Sequence, residues 1–236
     1  MRKRKLITYA ASFLLIILAL VLYAEQANAP DSSGNNSEIE QKKEAGGSEF
    51  DKSKYSITDP NSTWVVVNKK RPLPDGFVPN SLEDGLRRGT NRKLNELLQA
   101  ANSNGHNLYK ISAFRSQENQ AQIYSDYVSR DGQAQADTYS ARPRHSEHQT
   151  GLAVDLGNGT CDLEACFGDT PAGKWLAANA HKYGFVIRYQ KGKENITGYQ
   201  YEPWHLRYVG IELAAKVQKT GQTLEEFFGL PSAPDY

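Results

Sequence analysis

Past residue 60 the apolar positions switch between two periodicities, and the switching predicts the elements. Residues 64–67, Trp-Val-Val-Val, are a short run rich in branched side chains and predict a strand. Over 91–102, Leu94, Leu97 and Leu98 recur at the spacing of one helix face, and Gly105 supplies a stop. Residues 108–113 predict the next strand, and Ser116 is placed to cap a helix running to about Asp131. Gly151, free to take positive φ, precedes the apolar run 152–156, which suits a buried strand. Farther on, 172–183 predicts a helix ending at Gly184, and Phe185–Tyr189 a strand. Residues 199–202 and 206–209 complete a sheet, and 211–219 and Leu224–Phe228 predict terminal helices. Helices and largely antiparallel strands in this mix indicate a single compact α+β domain over 61–236. No internal repeat is visible.

The first sixty residues follow another logic. Met1-Arg2-Lys3-Arg4-Lys5 precedes an apolar run over 6–24, long enough to cross a bilayer as a helix, with its basic end on the cytoplasmic side. Ala27-Asn28-Ala29 has the form of a cleavage site, but Pro30 would follow the cut. We therefore expect residues 1–24 to be an uncleaved membrane anchor with the rest exported, the alternative being a cleaved signal and a secreted protein. Residues 25–60, dominated by Pro, Ser, Gly, Asn, Glu and Lys, predict a disordered linker.

Composition adds boundaries rather than an answer. The 236 residues are 39% apolar, enough for one packed domain, and carry a formal charge of +1. No basic patch interleaved with aromatics argues for a nucleic-acid partner. The two cysteines, Cys161 and Cys166, lie close together in an exported chain and predict a small disulfide that staples the loop after the 152–156 strand. Nothing in the sequence calls for an oligomer, and a monomer is expected.

The candidate chemistry lies in two short stretches, Ser-Glu-His-Gln-Thr-Gly-Leu-Ala-Val-Asp (146–155) and Glu-Pro-Trp-His (202–205). His148, Asp155 and His205 offer two imidazoles and a carboxylate, three positions of a tetrahedral zinc ion with the fourth left for water, the arrangement of catalytic rather than structural zinc sites. Glu202 is then the candidate general base. Pro203 biases Glu202 away from the helical region, so the second stretch is expected on an extended or turning segment. His145, three residues from His148, is the competing ligand; His106 and His181 have no comparable partners.

With these residues in view, the pattern Ser-x-His-x-x-Gly-x-Ala-x-Asp followed by Glu-Pro-Trp-His-x-Arg-Tyr resembles the VanY-type D-alanyl-D-alanine carboxypeptidase family, zinc peptidases that trim peptidoglycan stem peptides. Asn68-Lys69-Lys70-Arg71-Pro72-Leu73-Pro74 and Ile111-Ser112-Ala113-Phe114-Arg115-Ser116 with Gln120 extend the resemblance over roughly 61–230. The resemblance implies a sheet flanked by helices in the hedgehog/D,D-peptidase manner. It implies one Zn²⁺ held by His148, Asp155 and His205, with Glu202 as base, favouring His148 over His145. It implies that Arg115 serves catalysis and substrate binding, with Gln120 and Ser146 lining the pocket for a substrate carboxylate. One departure stands out: family members often carry a glycine where this chain has Arg144, which bears on the entrance to the site. The implied function is a D,D-carboxypeptidase acting outside a bacterial membrane on stem peptides. The alternatives are an L,D-carboxypeptidase on tetrapeptide stems, an endopeptidase, and a non-catalytic zinc module on the same fold.

Overall fold

The computed structural model describes residues 50–236, so the expected anchor and the linker up to residue 49 lie outside the described residues. The packed unit begins at Phe50 rather than at residue 61. Phe50 stacks on Trp64 and meets Phe227 edge-on, and Tyr55 meets Trp64 edge-on. The carbonyl of Ile57 accepts from the Val66 N–H and from Arg71. A polar average over 25–60 hid these three side chains, which pack because Trp64 gives them a partner.

A two-stranded ribbon, β1 (Leu82–Glu83) and β2 (Leu86–Arg87), leads into helix α1 (Arg88–Ser103). Strand β3 (Tyr109–Ser112), helix α2 (Gln117–Asp131) and the single turn α3 (Gln133–Ala136) follow. Then come β4 (Ala153–Gly157), α4 (Pro171–Asn179), β5 (Phe185–Tyr189), α5 (Glu194–Thr197), β6 (Glu202–Tyr208), α6 (Ile211–Thr220) and α7 (Leu224–Phe228). The four longer strands form one antiparallel sheet in the order β3-β4-β6-β5.

Alternation along β4 divides the sheet into a packing face and a chemical face. Val154 and Leu156 enter the main core with Leu94 and Leu97 of α1, Leu176 of α4, Phe185 and Leu206. Asp155, between them, turns the other way and stands directly opposite His205 in the β4–β6 register. A second core, around Trp64, Val186, Leu213, Val217 and Phe227, fastens α6 and α7 to the edge of the sheet.

The 64–67 segment is buried, but it is not a strand: Trp64 ends a turn and residues 65–67 pair with no strand. Guanidinium groups have taken the acceptors a strand partner would need: Arg207 donates to the carbonyl of Val65 (2.6 Å) and Arg71 to that of Val66 (3.3 Å). Of the two pieces expected at 199–202 and 206–209, only Glu202 and residues 206–208 are in a strand: both belong to β6, with Pro203 inside it, while residues 199–201 lie outside the sheet. Proline is tolerated there because pairing is irregular: two steps along β5, from Ile187 to Tyr189, face four along β6, from Leu206 to Glu202. The helix expected over 172–183 is α-helical to Asn179 and closes in a 3-10 turn, Ala180–Tyr183, before Gly184. Ser116 caps α2 as expected, its hydroxyl accepting from the Asn119 N–H.

Candidate active site

His148 lies in a 3-10 turn, Glu147–Thr150, that links the sheet to the segment before it. Ser146 opens the turn, its hydroxyl accepting from the His148 N–H at 3.3 Å. Gly151 closes it at φ 66°, where an added Cβ would come within 2.7 Å of Leu82 Cδ2. Glycine takes this conformation without strain and leaves Leu82 in place. The turn points the imidazole of His148 at Asp155, with Nε2 3.2 Å from Oδ2, while Nδ1 lies 2.7 Å from the carbonyl of Ala113. A carbonyl only accepts, so Nδ1 carries the proton and Nε2 presents its lone pair to the site.

His205 arrives from the neighbouring strand, its Nδ1 3.0 Å from Asp155 Oδ1 and 3.9 Å from Glu202 Oε2. The β5–β6 irregularity turns the backbone around Pro203, so that Glu202, three residues away, reaches the same cavity. Donor atoms of His148, Asp155 and His205 all lie within 4.8 Å of one another, and all three residues are buried. Two nitrogens and a carboxylate oxygen at this spacing fit a tetrahedral metal ion with one position to spare.

Electrostatics at the site follow from burial and close charge. Burial would raise the Asp155 carboxyl, but His148 and His205 hold it well below the usual carboxylate range. Burial lowers His148 below an ordinary histidine. Burial acts the same way on His205, yet the carboxylates of Asp155 and Glu147 outweigh it and lift the ring to about 9. Glu202 is pushed up to about 8, mainly by burial, with Asp155 adding to the rise and His205 and Arg115 opposing it.

Sequence reasoning missed Glu147. This fully buried carboxylate accepts from Arg188 Nε (2.8 Å) and Arg207 Nη1 (2.7 Å) through Oε1, and Arg188 continues to Glu225. Its Oε2 faces His205 Nε2 at 3.8 Å, and neither atom has another partner among the described residues. The two arginines hold it ionised despite burial. Its position is that of the carboxylate that commonly orients a metal-bound histidine through the ring nitrogen facing away from the metal. The available signal was Arg188 and Arg207, arginines within buried sheet strands, which are rarely buried unless paired.

Around these groups is a cavity of about 260 Å³, lined also by Arg115, Gln120, Ser146, Tyr189, Tyr199 and Trp204. Arg115 Nη1 donates to Gln120 Oε1 (2.9 Å) and Nη2 to Ser112 Oγ (3.2 Å). Gln120 is in turn fixed by donating to the carbonyl of Ala141 at 2.6 Å, so it holds the guanidinium in place. His145 is turned away, with Nδ1 2.9 Å from the carbonyl of Asn68 and its ring edge-on to Tyr236. His106 packs on Trp175. Arg144 is not among the cavity's lining residues but does sit at φ 74°, a left-handed conformation suited to glycine, with its guanidinium on the carbonyl of Leu73 at 2.8 Å. Cys161 and Cys166 form the expected disulfide.

The sequence model of VanY, D-alanyl-D-alanine carboxypeptidase, matches residues 83–211, more than half of the chain. The chain belongs to the VanY family. Relatives of this VanY domain include YodJ of Bacillus subtilis, 40% identical in an alignment 189 positions long that covers 73% of this chain and 69% of that one. A D-alanyl-D-alanine carboxypeptidase of Enterococcus faecalis is 35% identical over 69% of this chain and 64% of its own length. Among solved structures, the LdcB LD-carboxypeptidase superposes with a TM-score of 0.67 at 39% identity, covering 73% of this chain and 88% of that one. The L,D-carboxypeptidase DacB of Streptococcus pneumoniae gives 0.60 at 43% identity, covering 71% and 86%. VanYB in complex with D-alanine-D-alanine gives 0.62 at 32%, covering 70% and 96%, and a VanY variant from the same type of resistance cassette was solved in complex with Zn(II).

Proposed function

We propose that this VanY-family chain is a zinc-dependent D,D-carboxypeptidase that removes the C-terminal D-alanine from peptidoglycan stem peptides. The observation that carries the reading is the convergence in one cavity of three metal-ligand side chains, a buried Glu202 and an Arg115 fixed by Gln120. His148 Nε2, an Asp155 oxygen and His205 Nδ1 would hold the ion, and the fixed proton on His148 Nδ1 fits that assignment. When bound, zinc supplies a Lewis acid that polarises the scissile carbonyl and makes water more acidic. Glu202 takes the proton of the attacking water and delivers it to the leaving amine, a role suited to a carboxylate held in the same cavity as the metal ligands. Arg115 binds the free carboxylate of the substrate in two-point fashion, which selects a chain terminus over an internal bond. Ser146 lies on the same cavity wall and can donate its hydroxyl to that carboxylate.

Two L,D-carboxypeptidase structures, at 39% and 43% identity against 32% for VanYB, favour a second reading in which the substrate is a tetrapeptide stem. Incubation with muropeptide pentapeptide and tetrapeptide, read by mass, tests both. Loss of D-alanine from pentapeptide alone supports D,D cleavage, loss from tetrapeptide supports L,D, and turnover that survives chelation would sink the metal assignment. The same proposal places the domain outside a bacterial membrane on the 6–24 segment, which the disulfide supports because it persists in oxidising compartments. Protection of the domain from protease added to intact protoplasts would contradict that placement.

A further inference from the structure

Leu163 is an exposed apolar residue at a catalytic cavity, on a loop the reaction described above does not use. It lines the cavity and is 45% exposed, so it stands at the rim. Its backbone is left-handed, φ 58°, as is that of Cys161 at φ 56°, a conformation disfavoured for both residue types. Three restraints hold it. The Cys161–Cys166 disulfide closes the loop, and the Cys161 side chain packs against the main core. Asp162, the residue between, accepts from the N–H groups of Asn158 and Gly159 and from the hydroxyl of Tyr109. A loop serving only as a staple has no need of a leucine held outward in this conformation.

We propose that this loop is a rigid lip whose Leu163 makes apolar contact with the stem peptide upstream of the cleaved bond, and so contributes to substrate selection. The inference rests on the carboxypeptidase reading. With Arg115, held in place by the buried Gln120, binding the substrate's carboxylate inside the cavity, only the terminal residue lies beyond the cleaved bond. The rest of the peptide must leave past the rim, where Leu163 stands. With Ile123 and Tyr127, which line the same cavity, it offers an apolar surface to the aliphatic parts of the stem.

The test compares steady-state kinetics of the zinc-loaded parent chain, Leu163→Ala, Leu163→Met and Cys161→Ser/Cys166→Ser on the stem peptide the parent cleaves. Leu163→Ala should raise KM by about 5- to 10-fold, below the roughly 10-fold or more that a methylene is worth in an enclosed pocket because Leu163 is 45% exposed at the rim, with kcat much less affected. Leu163→Met should restore most of the loss, and the double serine variant should raise KM in the same direction with its zinc content unchanged. A KM for Leu163→Ala within twofold of the parent overturns the contact, and an unchanged KM in the double variant overturns the role of the staple. Failure of the parent to cleave any stem peptide overturns the functional reading and the lip together, whereas parental activity with a normal Leu163→Ala removes the lip alone.

Discussion

At the scale of single residues the site is a set of buried charges whose protonation is mutually determined. Glu202→Gln keeps the size and polarity of the side chain but removes the base. It should retain zinc, measured by elemental analysis, while kcat falls by roughly 10²- to 10⁴-fold; near-normal turnover would displace Glu202 from that role. In the metal-free domain Glu202, raised from 4.5 to about 8, binds more protons folded than unfolded. Its contribution to stability is therefore complete below pH 4.5 and lost as pH rises through about 8. His205, raised from 6.5 to about 9, acts with the same sign between those values. Thermal melts in chelator should show the parent losing stability from pH 7 to 9 and Glu202→Gln losing less, and equal slopes would contradict the burial of Glu202. Glu147→Gln weakens the carboxylate facing His205 Nε2 and should lower zinc affinity by about 10- to 100-fold in a competition titration. The three candidate metal ligands could be picked out because two imidazoles and a carboxylate sit in motifs whose turn and strand chemistry can be read directly, and the fold brings their donor atoms within 4.8 Å of one another. Glu147 was not, since its meaning depends on Arg188 and Arg207, 41 and 60 residues away in sequence.

Elements carry this charge network to the edge of the domain. Helix α7 holds Glu225, which takes two hydrogen bonds from Arg188, and the helix is started by a capping box between Thr223 and Glu226. Thr223→Ala removes the hydroxyl that accepts from the Glu226 N–H and should cost about 1 kcal/mol. Calorimetry should therefore record a fall in Tm of roughly 2–4 °C for a domain of this size. No change would mean that packing of Leu224 and Phe227 alone fixes the helix. The longer helices and most strands of the four-stranded sheet were legible from periodicity because their buried faces are apolar and regular, as with Leu94, Leu97 and Leu98, whereas the single turns α3 and α5 and the β1–β2 ribbon are too short to carry a period. Two elements were misread for one underlying reason. At 64–67 arginine side chains replace a strand partner, and at Pro203 an irregular register lets a proline sit inside a strand. Both depend on pairing between distant segments, which local pattern does not encode. Arg144 is the reverse case: the departure from glycine was visible in sequence, but its φ of 74° was not.

For the molecule as a whole, the boundary of the folded unit is where sequence and structure differ most usefully. Composition over 25–60 is that of a tether, yet its last residues pack: Phe50 lies between Trp64 and Phe227, Tyr55 meets Trp64, and the Ile57 carbonyl closes on Val66 and Arg71. Trp64 also donates through Nε1 to the carbonyl of Val209, just past the end of β6, so the leading segment covers the core that fastens α6 and α7 to the sheet. A chain beginning at residue 50 should thus melt like the longer protein, whereas one beginning at residue 61 should be less stable. Uncovering one aromatic of this kind costs about 1.5–3 kcal/mol. Because Phe50 and Ile57 are only partly buried, the combined loss should lie near that range rather than at its double. At roughly 2–4 °C per kcal/mol, Tm should drop by about 5–10 °C. The catalytic cavity is lined by residues from Arg115 onward, so zinc binding and kcat at a temperature well below the melt should be nearly unchanged in the shorter chain. A shorter chain with the parent Tm would return residues 50–60 to the linker. Loss of zinc from it would mean that the Trp64 core supports the site directly, through Arg207, which joins the carbonyls of Thr63 and Val65 to Glu147.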